Sequence, residues 1–195
     1  MRTLVLVFVL WFGPATVAIA AGPLDYTRTT LDQARAIVAN SQSHNDKLAA
    51  LSDLFGKFLD TDAMGRAALA DHWSSFNPDQ QKEFLALFRE LLQRTYVQKL
   101  LLFENPDFTY VGEQAVDGGA RVDTKIVTAR DQFDVVYQLR PAGDGWLVTQ
   151  ITVENVSLTA NLRSQLDHLL SRMSPNDLLT LLQSKYGNKS VEASR

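Results

Sequence analysis

The sequence predicts an α+β fold: N-terminal and C-terminal helices packed on a curved four-stranded antiparallel sheet that encloses an apolar cavity. Three observations carry this reading. From Leu24 to about Leu102 the apolar residues recur at helical spacing. At Asn105-Pro106 the period changes to alternation, and the segments up to Leu158 are separated by hairpin turn signals. Helical spacing returns from Thr159. No repeat, low-complexity tract or linker divides the chain, so residues 21–195 read as one domain with helices covering one face of the sheet.

A first helix carries Leu31, Ala34, Ile37 and Val38, and a second carries Leu48, Leu51, Phe55, Phe58 and Leu59 after the polar stretch Asn40 to Asp46. Asp60-Thr61-Asp62 reads as the cap of a short helix through Leu69, because a side-chain oxygen there can accept from free backbone N–H groups. The longest helix starts at Asn77-Pro78-Asp79-Gln80-Gln81, a cap followed by a proline at the first helical position. Phe84, Leu87, Phe88, Leu91, Leu92, Tyr96 and Leu100 then form its apolar stripe. Four strands follow, Phe108 to Val116, Arg121 to Thr128, Gln132 to Arg140 and Trp146 to Leu158. The short turns Asp117-Gly118-Gly119 and Pro141 to Gly145 make hairpins of two neighbouring pairs. Two helices close the chain, Thr159 to Met173 and one capped by Ser174-Pro175-Asn176-Asp177 that stops at Gly187. Asn188 to Arg195 reads as a frayed tail.

Met1 to Ala20 has the anatomy of a secretory signal peptide. Arg2 is followed by nine apolar residues, Leu4 to Phe12, then Gly13-Pro14 and the small-residue site Ala18-Ile19-Ala20. An uncleaved anchor would need roughly 20 apolar residues, and Gly13-Pro14 interrupts this run. Export to the periplasm, with a mature chain beginning at Ala21, is the expectation. The chain has no cysteine, so a fold without disulfides must rest on its core. Removing Arg2 leaves 18 basic residues against 22 acidic ones, a poor surface for nucleic acid and one suited to lipid or protein partners.

Three local patterns, in this order and spacing, resemble the MlaC (toluene-tolerance) family of periplasmic phospholipid-binding proteins, auxiliary to ABC transport. They are Phe58-Leu59-Asp60-Thr61-Asp62-Ala63-Met64 with Ala68-Leu69 and Trp73; Asn77-Pro78-Asp79-Gln80-Gln81-Lys82-Glu83-Phe84 with Phe88, Leu91 and Tyr96; and Gly145-Trp146 through Val156-Ser157-Leu158, followed by Asn161-Leu162-Arg163. Together they span about Leu31 to Tyr186. Gln150, Asn155 and Leu162 depart from the residues common in that family, which suggests a divergent branch; one branch is associated with hopanoid lipids. The resemblance implies a soluble carrier of phospholipid or a related lipid, without a cofactor. It also implies two partners, an inner-membrane ABC transporter complex with a lipid-binding substrate domain and an outer-membrane lipoprotein complex.

A diacyl lipid with about 30 methylenes, at ~0.8 kcal/mol each, resists leaving a bilayer by about 20 kcal/mol or more, so a carrier must offer a deep apolar cavity rather than a surface patch. Alternation places Val122, Thr124 and Ile126 on one face of the second strand and Phe133, Val135, Tyr137 and Leu139 on one face of the third. The long helix would add an opposite wall through Leu92, Tyr96 and Leu100. The same residues would serve equally well as an ordinary core. For a phosphate head, Arg163 and Tyr137 are the candidates, a guanidinium and a phenol.

Enzymatic readings have less material. His44, His72 and His168 are the only histidines, and no G-x-S-x-G, H-E-x-x-H or phosphate loop occurs. An enzyme on a similar scaffold would have to use Asp123 or Asp134, which alternation places opposite the apolar wall. A lipid-free adaptor is the third reading. Asp60-Thr61-Asp62 could hold a metal, but capping explains it with fewer assumptions.

Overall fold

A computed structural model describes residues 21–40, 42–101, 106–128 and 130–187, with the side chain of Lys99 excepted. The expected signal peptide and terminal tail lie outside these residues. The described helices are α1 (Pro23–Ala39), α2 (His44–Phe58), α3 (Thr61–Leu69), α4 (Pro78–Leu92), α5 (Leu158–Leu170) and α6 (Pro175–Tyr186). A 3-10 turn, Ala70–Ser75, follows α3. A π-helical segment, Gln93–Val97, and a last turn, Gln98–Leu100, prolong α4.

The helix starts arise from local chemistry. Ser43, Asp60, Asn77, Ser157 and Ser174 each accept a backbone N–H of the first turn, and Asn77–Gln80 and Ser174–Asp177 form reciprocal capping boxes. Gly65 lets α3 lie close against α4, since a Cβ there would sit 2.8 Å from Leu85 Cδ2 and 3.2 Å from Phe88 Cδ1.

The sheet is an antiparallel meander in sequence order: β1 (Asp107–Val116), β2 (Gly119–Val127), β3 (Gln132–Ala142), β4 (Gly145–Val153) and the two-residue β5 (Val156–Ser157). Five strands stand where alternation predicted four. The last expected strand is broken by Glu154 and Asn155, whose positive φ angles of 48° and 65° reverse the chain and pair Val153 with Val156. Bulges between Tyr110 and Gly112 and between Gln138 and Leu139 bend the sheet, and the first leaves Val111 60% exposed.

Three apolar clusters hold the layers. One lies among the helices, built from Met64, Phe84, Phe88, Leu162, Leu166, Leu178 and their neighbours. The second joins the inner face of the sheet to α1 and the end of α2. The third, around Ala34, Leu51 and Val97, fastens α1, α2 and the end of the long helix together. The helical layer meets the sheet at the α2–α3 junction, where the Asp60 N–H donates to Val148 O at 2.8 Å.

Candidate functional site

The β2–β3 register sets Ala120 opposite Leu139, Val122 opposite Tyr137, Thr124 opposite Val135 and Ile126 opposite Phe133. Every second residue of an antiparallel pair shares a face, so this register makes one continuous inner wall. Val122, Thr124, Val135, Tyr137 and Leu139 are at most 5% exposed, and Val148 of β4 extends the wall. Ile126 and Phe133 are partly buried against the same cluster. The sheet residues singled out from the sequence therefore come together.

What covers them differs from expectation. Leu24, Tyr26 and Leu31 of α1 and Phe55 and Phe58 of α2 pack on the wall, with the Phe58 ring 6.0 Å from Tyr137 and 6.2 Å from Tyr26. Leu92 and Tyr96 pack in the helical cluster, and Leu100 packs in the third cluster beside α1 and α2. The π-helical segment is the reason that Leu100 parts from Leu92. One extra residue in a helical turn rotates the rest of the helix by about 100°, so the stripe that faces α5 and α6 before the segment faces α1 and α2 after it.

The predicted head-group pair is not assembled. Arg163 lies on α5, about half exposed, with Nη2 3.5 Å from Asp71 and Nε 3.9 Å from Asp167. Tyr137 is buried in the wall; burial holds its phenol well above the usual range, with a weaker opposing effect of the Thr124 hydroxyl. The phenol is therefore neutral and can donate a hydrogen bond. The Thr124 hydroxyl donates to Val135 O at 3.1 Å.

Two buried hydroxyls, on Thr27 and Thr159, have no hydrogen-bond partner among the described residues. The sequence reading missed both, because a threonine on an amphipathic helix reads as an ordinary polar-face residue. Thr27 is fully buried, and it lies three residues after Leu24 and four before Leu31, on the stripe of α1 that packs on the sheet.

Along its edges α1 is tied down by exposed polar contacts. Leu24 N–H donates to Glu113 Oε2 at 2.7 Å, Arg35 pairs with Asp107 at 2.6 Å, and the Tyr110 hydroxyl donates to Asp32 at 2.9 Å. Trp146 Nε1 donates to Ala21 O at 3.0 Å, and the Arg28 guanidinium stacks over the Tyr110 ring. Such contacts contribute little individually, a median of about 0–1 kcal/mol for exposed ion pairs. A separate cavity of about 90 Å³ lies among α4, α5 and α6, lined by Phe88, Leu91, Leu166 and Leu182, with Lys185 and Tyr186 at its side.

The carboxylates considered for catalysis are engaged elsewhere. Asp123 is held by Arg121 at 2.7 Å and Asp134 by Lys125 at 2.5 Å, both away from the inner wall. Asp60 caps α3 and receives Arg140, and His72 Nε2 sits 3.1 Å from Asp167. No helix among the described residues is long and apolar enough to cross a membrane.

A curved antiparallel sheet with an apolar inner face, covered by α1 and the end of α2, defines a layered domain of the α+β class. The MlaC protein family model matches residues 28–184, and the chain belongs to that family. In fold the chain is similar to the phospholipid-binding protein from Ralstonia solanacearum solved in complex with a phospholipid. The two are 21% identical with a TM-score of 0.74, over 85% of this chain and 97% of that one. No curated protein matches the sequence.

Proposed function

We propose that this protein is a periplasmic carrier that takes up a phospholipid's acyl chains between the inner face of the sheet and α1, and shuttles the lipid between membrane complexes. The observation that carries the reading is the wall itself: Val122, Val135, Tyr137, Leu139 and Val148 form an apolar face covered by a single helix and the end of another. Membership of the MlaC family and the likeness to a phospholipid-bound structure support it.

Loading requires the layers to part. Drug-sized ligands occupy pockets of about 300–1,000 Å³, whereas α1 packs directly on the wall. The edge contacts of α1 are exposed and individually weak, so lifting α1 costs mainly apolar contact, that of Leu24, Tyr26 and Leu31 with the sheet, which the acyl chains then restore, and that of Ala34, Ile37 and Val38 with the third cluster. The transporter complex of the inner membrane and the lipoprotein complex of the outer membrane are the partners that family membership suggests.

Mass spectrometry of lipid extracted from the protein purified from a periplasmic fraction tests this reading. Stoichiometric phospholipid is the expected result, and a hopanoid would reassign the substrate. Folded protein from such a fraction with no lipid at all would leave the adaptor reading in its place.

A further inference from the structure

We propose that the Thr27 hydroxyl donates a hydrogen bond to an ester carbonyl of the carried lipid and so favours ester-linked diacyl lipids over lipids with no carbonyl at that depth. This rests on the lipid-carrier reading above. A fully buried hydroxyl with no partner among the described residues is a cost that an apolar group of the same shape would not carry. Its position gives that cost a use. Thr27 lies one turn inside the start of α1, where Leu24, Tyr26 and Trp146 are only half-buried and the Trp146 indole is bonded to Ala21 O. Four residues further along the same stripe, Leu31 is buried in the cluster of Phe58, Val122 and Val135.

A lipid laid along this stripe, tails toward Leu31 and head toward Ala21, passes from hydrocarbon to polar group near Thr27. At that joint a diacyl phospholipid carries ester carbonyls, which accept hydrogen bonds and donate none. On this side Thr27 is the fully buried hydroxyl with no partner among the described residues. Thr124 already donates to Val135 O. Thr159, the other unpartnered hydroxyl, lies on α5, whose Leu158 and Leu162 pack in the helical cluster.

The test compares phosphatidylglycerol in diacyl ester form with its dialkyl ether analogue of equal chain length, each offered in vesicles, with bound lipid read by native mass spectrometry. The wild type should prefer the ester by about fivefold, the equivalent of one ordinary hydrogen bond of about 1 kcal/mol. Thr27→Val should abolish the preference while melting no lower than the wild type, and Thr27→Ser should retain it. If Thr27→Val does not fold, Thr27→Ala takes its place in the comparison. A wild type indifferent to the carbonyl, or a preference that survives in Thr27→Val, overturns the assignment while leaving the carrier reading intact. Failure of the wild type to load either lipid overturns the carrier reading and the assignment with it.

Discussion

Arg140 Nε donates to Asp60 Oδ2 at 2.7 Å, and the other oxygen of the same carboxylate accepts the Ala63 N–H at 2.9 Å. One nearly buried aspartate thus caps α3 and fixes β3 to the helical layer. Losing a cap costs about 1 kcal/mol and losing a hydrogen bond to a charged group roughly 1.5–3 kcal/mol, the latter reduced here because Arg140 is about half exposed. Asp60→Ala is therefore expected to destabilise by about 2–3 kcal/mol in urea unfolding. Asp60→Asn, which keeps the cap, should lose less than half as much. Equal losses would mean that the cap contributes nothing and that the whole effect lies in the charged pair with Arg140.

Ala70 ends α3 with φ 46° and ψ −117°, a conformation that favours glycine. Strain of this kind costs about 1–3 kcal/mol, against which glycine adds ~0.5–1 kcal/mol of unfolded-state entropy. Ala70→Gly should stabilise by about 1 kcal/mol and raise the melting temperature by roughly 2–4 °C. A fall in melting temperature would show that the turn is relaxed.

Much of this architecture is legible in the sequence because it is written locally. Asn77-Pro78 and Ser174-Pro175 announce their helices through cap chemistry, and the alternation Phe133-Val135-Tyr137-Leu139 shows which side chains share a face. The turn at Glu154-Asn155 is hidden, because valines on both sides keep the alternation running and glutamate rarely adopts a positive φ. The partner of the wall is hidden for a different reason. An apolar stripe shows that a helix is covered, not by what, and the π-helical segment that turns Leu100 away from the face of Leu92 depends on how α1 and α2 pack. The unpartnered Thr27 hydroxyl emerges only when the neighbours of α1 are known.

Val135 and Val136 are adjacent but face opposite sides of the sheet; Val135 is 2% exposed in the wall. Val135→Trp should cut lipid loading by more than half, because the indole occupies the space between sheet and helix. The overpacked lipid-free form should also lose about 1–3 kcal/mol. Val136→Trp should leave loading unchanged. Lipid per mole of protein and a melt of the delipidated form measure both, and equal effects of the two substitutions would count against the wall.

The edge contacts of α1 should govern exchange rate more than stability. Arg35 and Asp107 are 51% and 69% exposed, so Arg35→Ala combined with Glu113→Ala is expected to cost no more than about 1–2 kcal/mol in unfolding. Transfer of fluorescent phospholipid between the protein and vesicles should nonetheless accelerate, and added salt should accelerate the wild type in the same direction. Unchanged exchange in the double variant would place the opening elsewhere.

The central claim, that acyl chains lie between α1 and the sheet, is tested most directly by a distance across that layer. The chain has no cysteine, so Gln33→Cys on the exposed side of α1 and Gln138→Cys on the outer face of β3 give a unique pair of spin-label sites. Pulsed electron spin resonance on delipidated and phospholipid-loaded samples, with loading verified by native mass spectrometry, should show the separation lengthening by about 4 Å or more, one layer of carbon contacts. An unchanged separation in fully loaded protein would contradict the account and move the lipid away from the α1 wall.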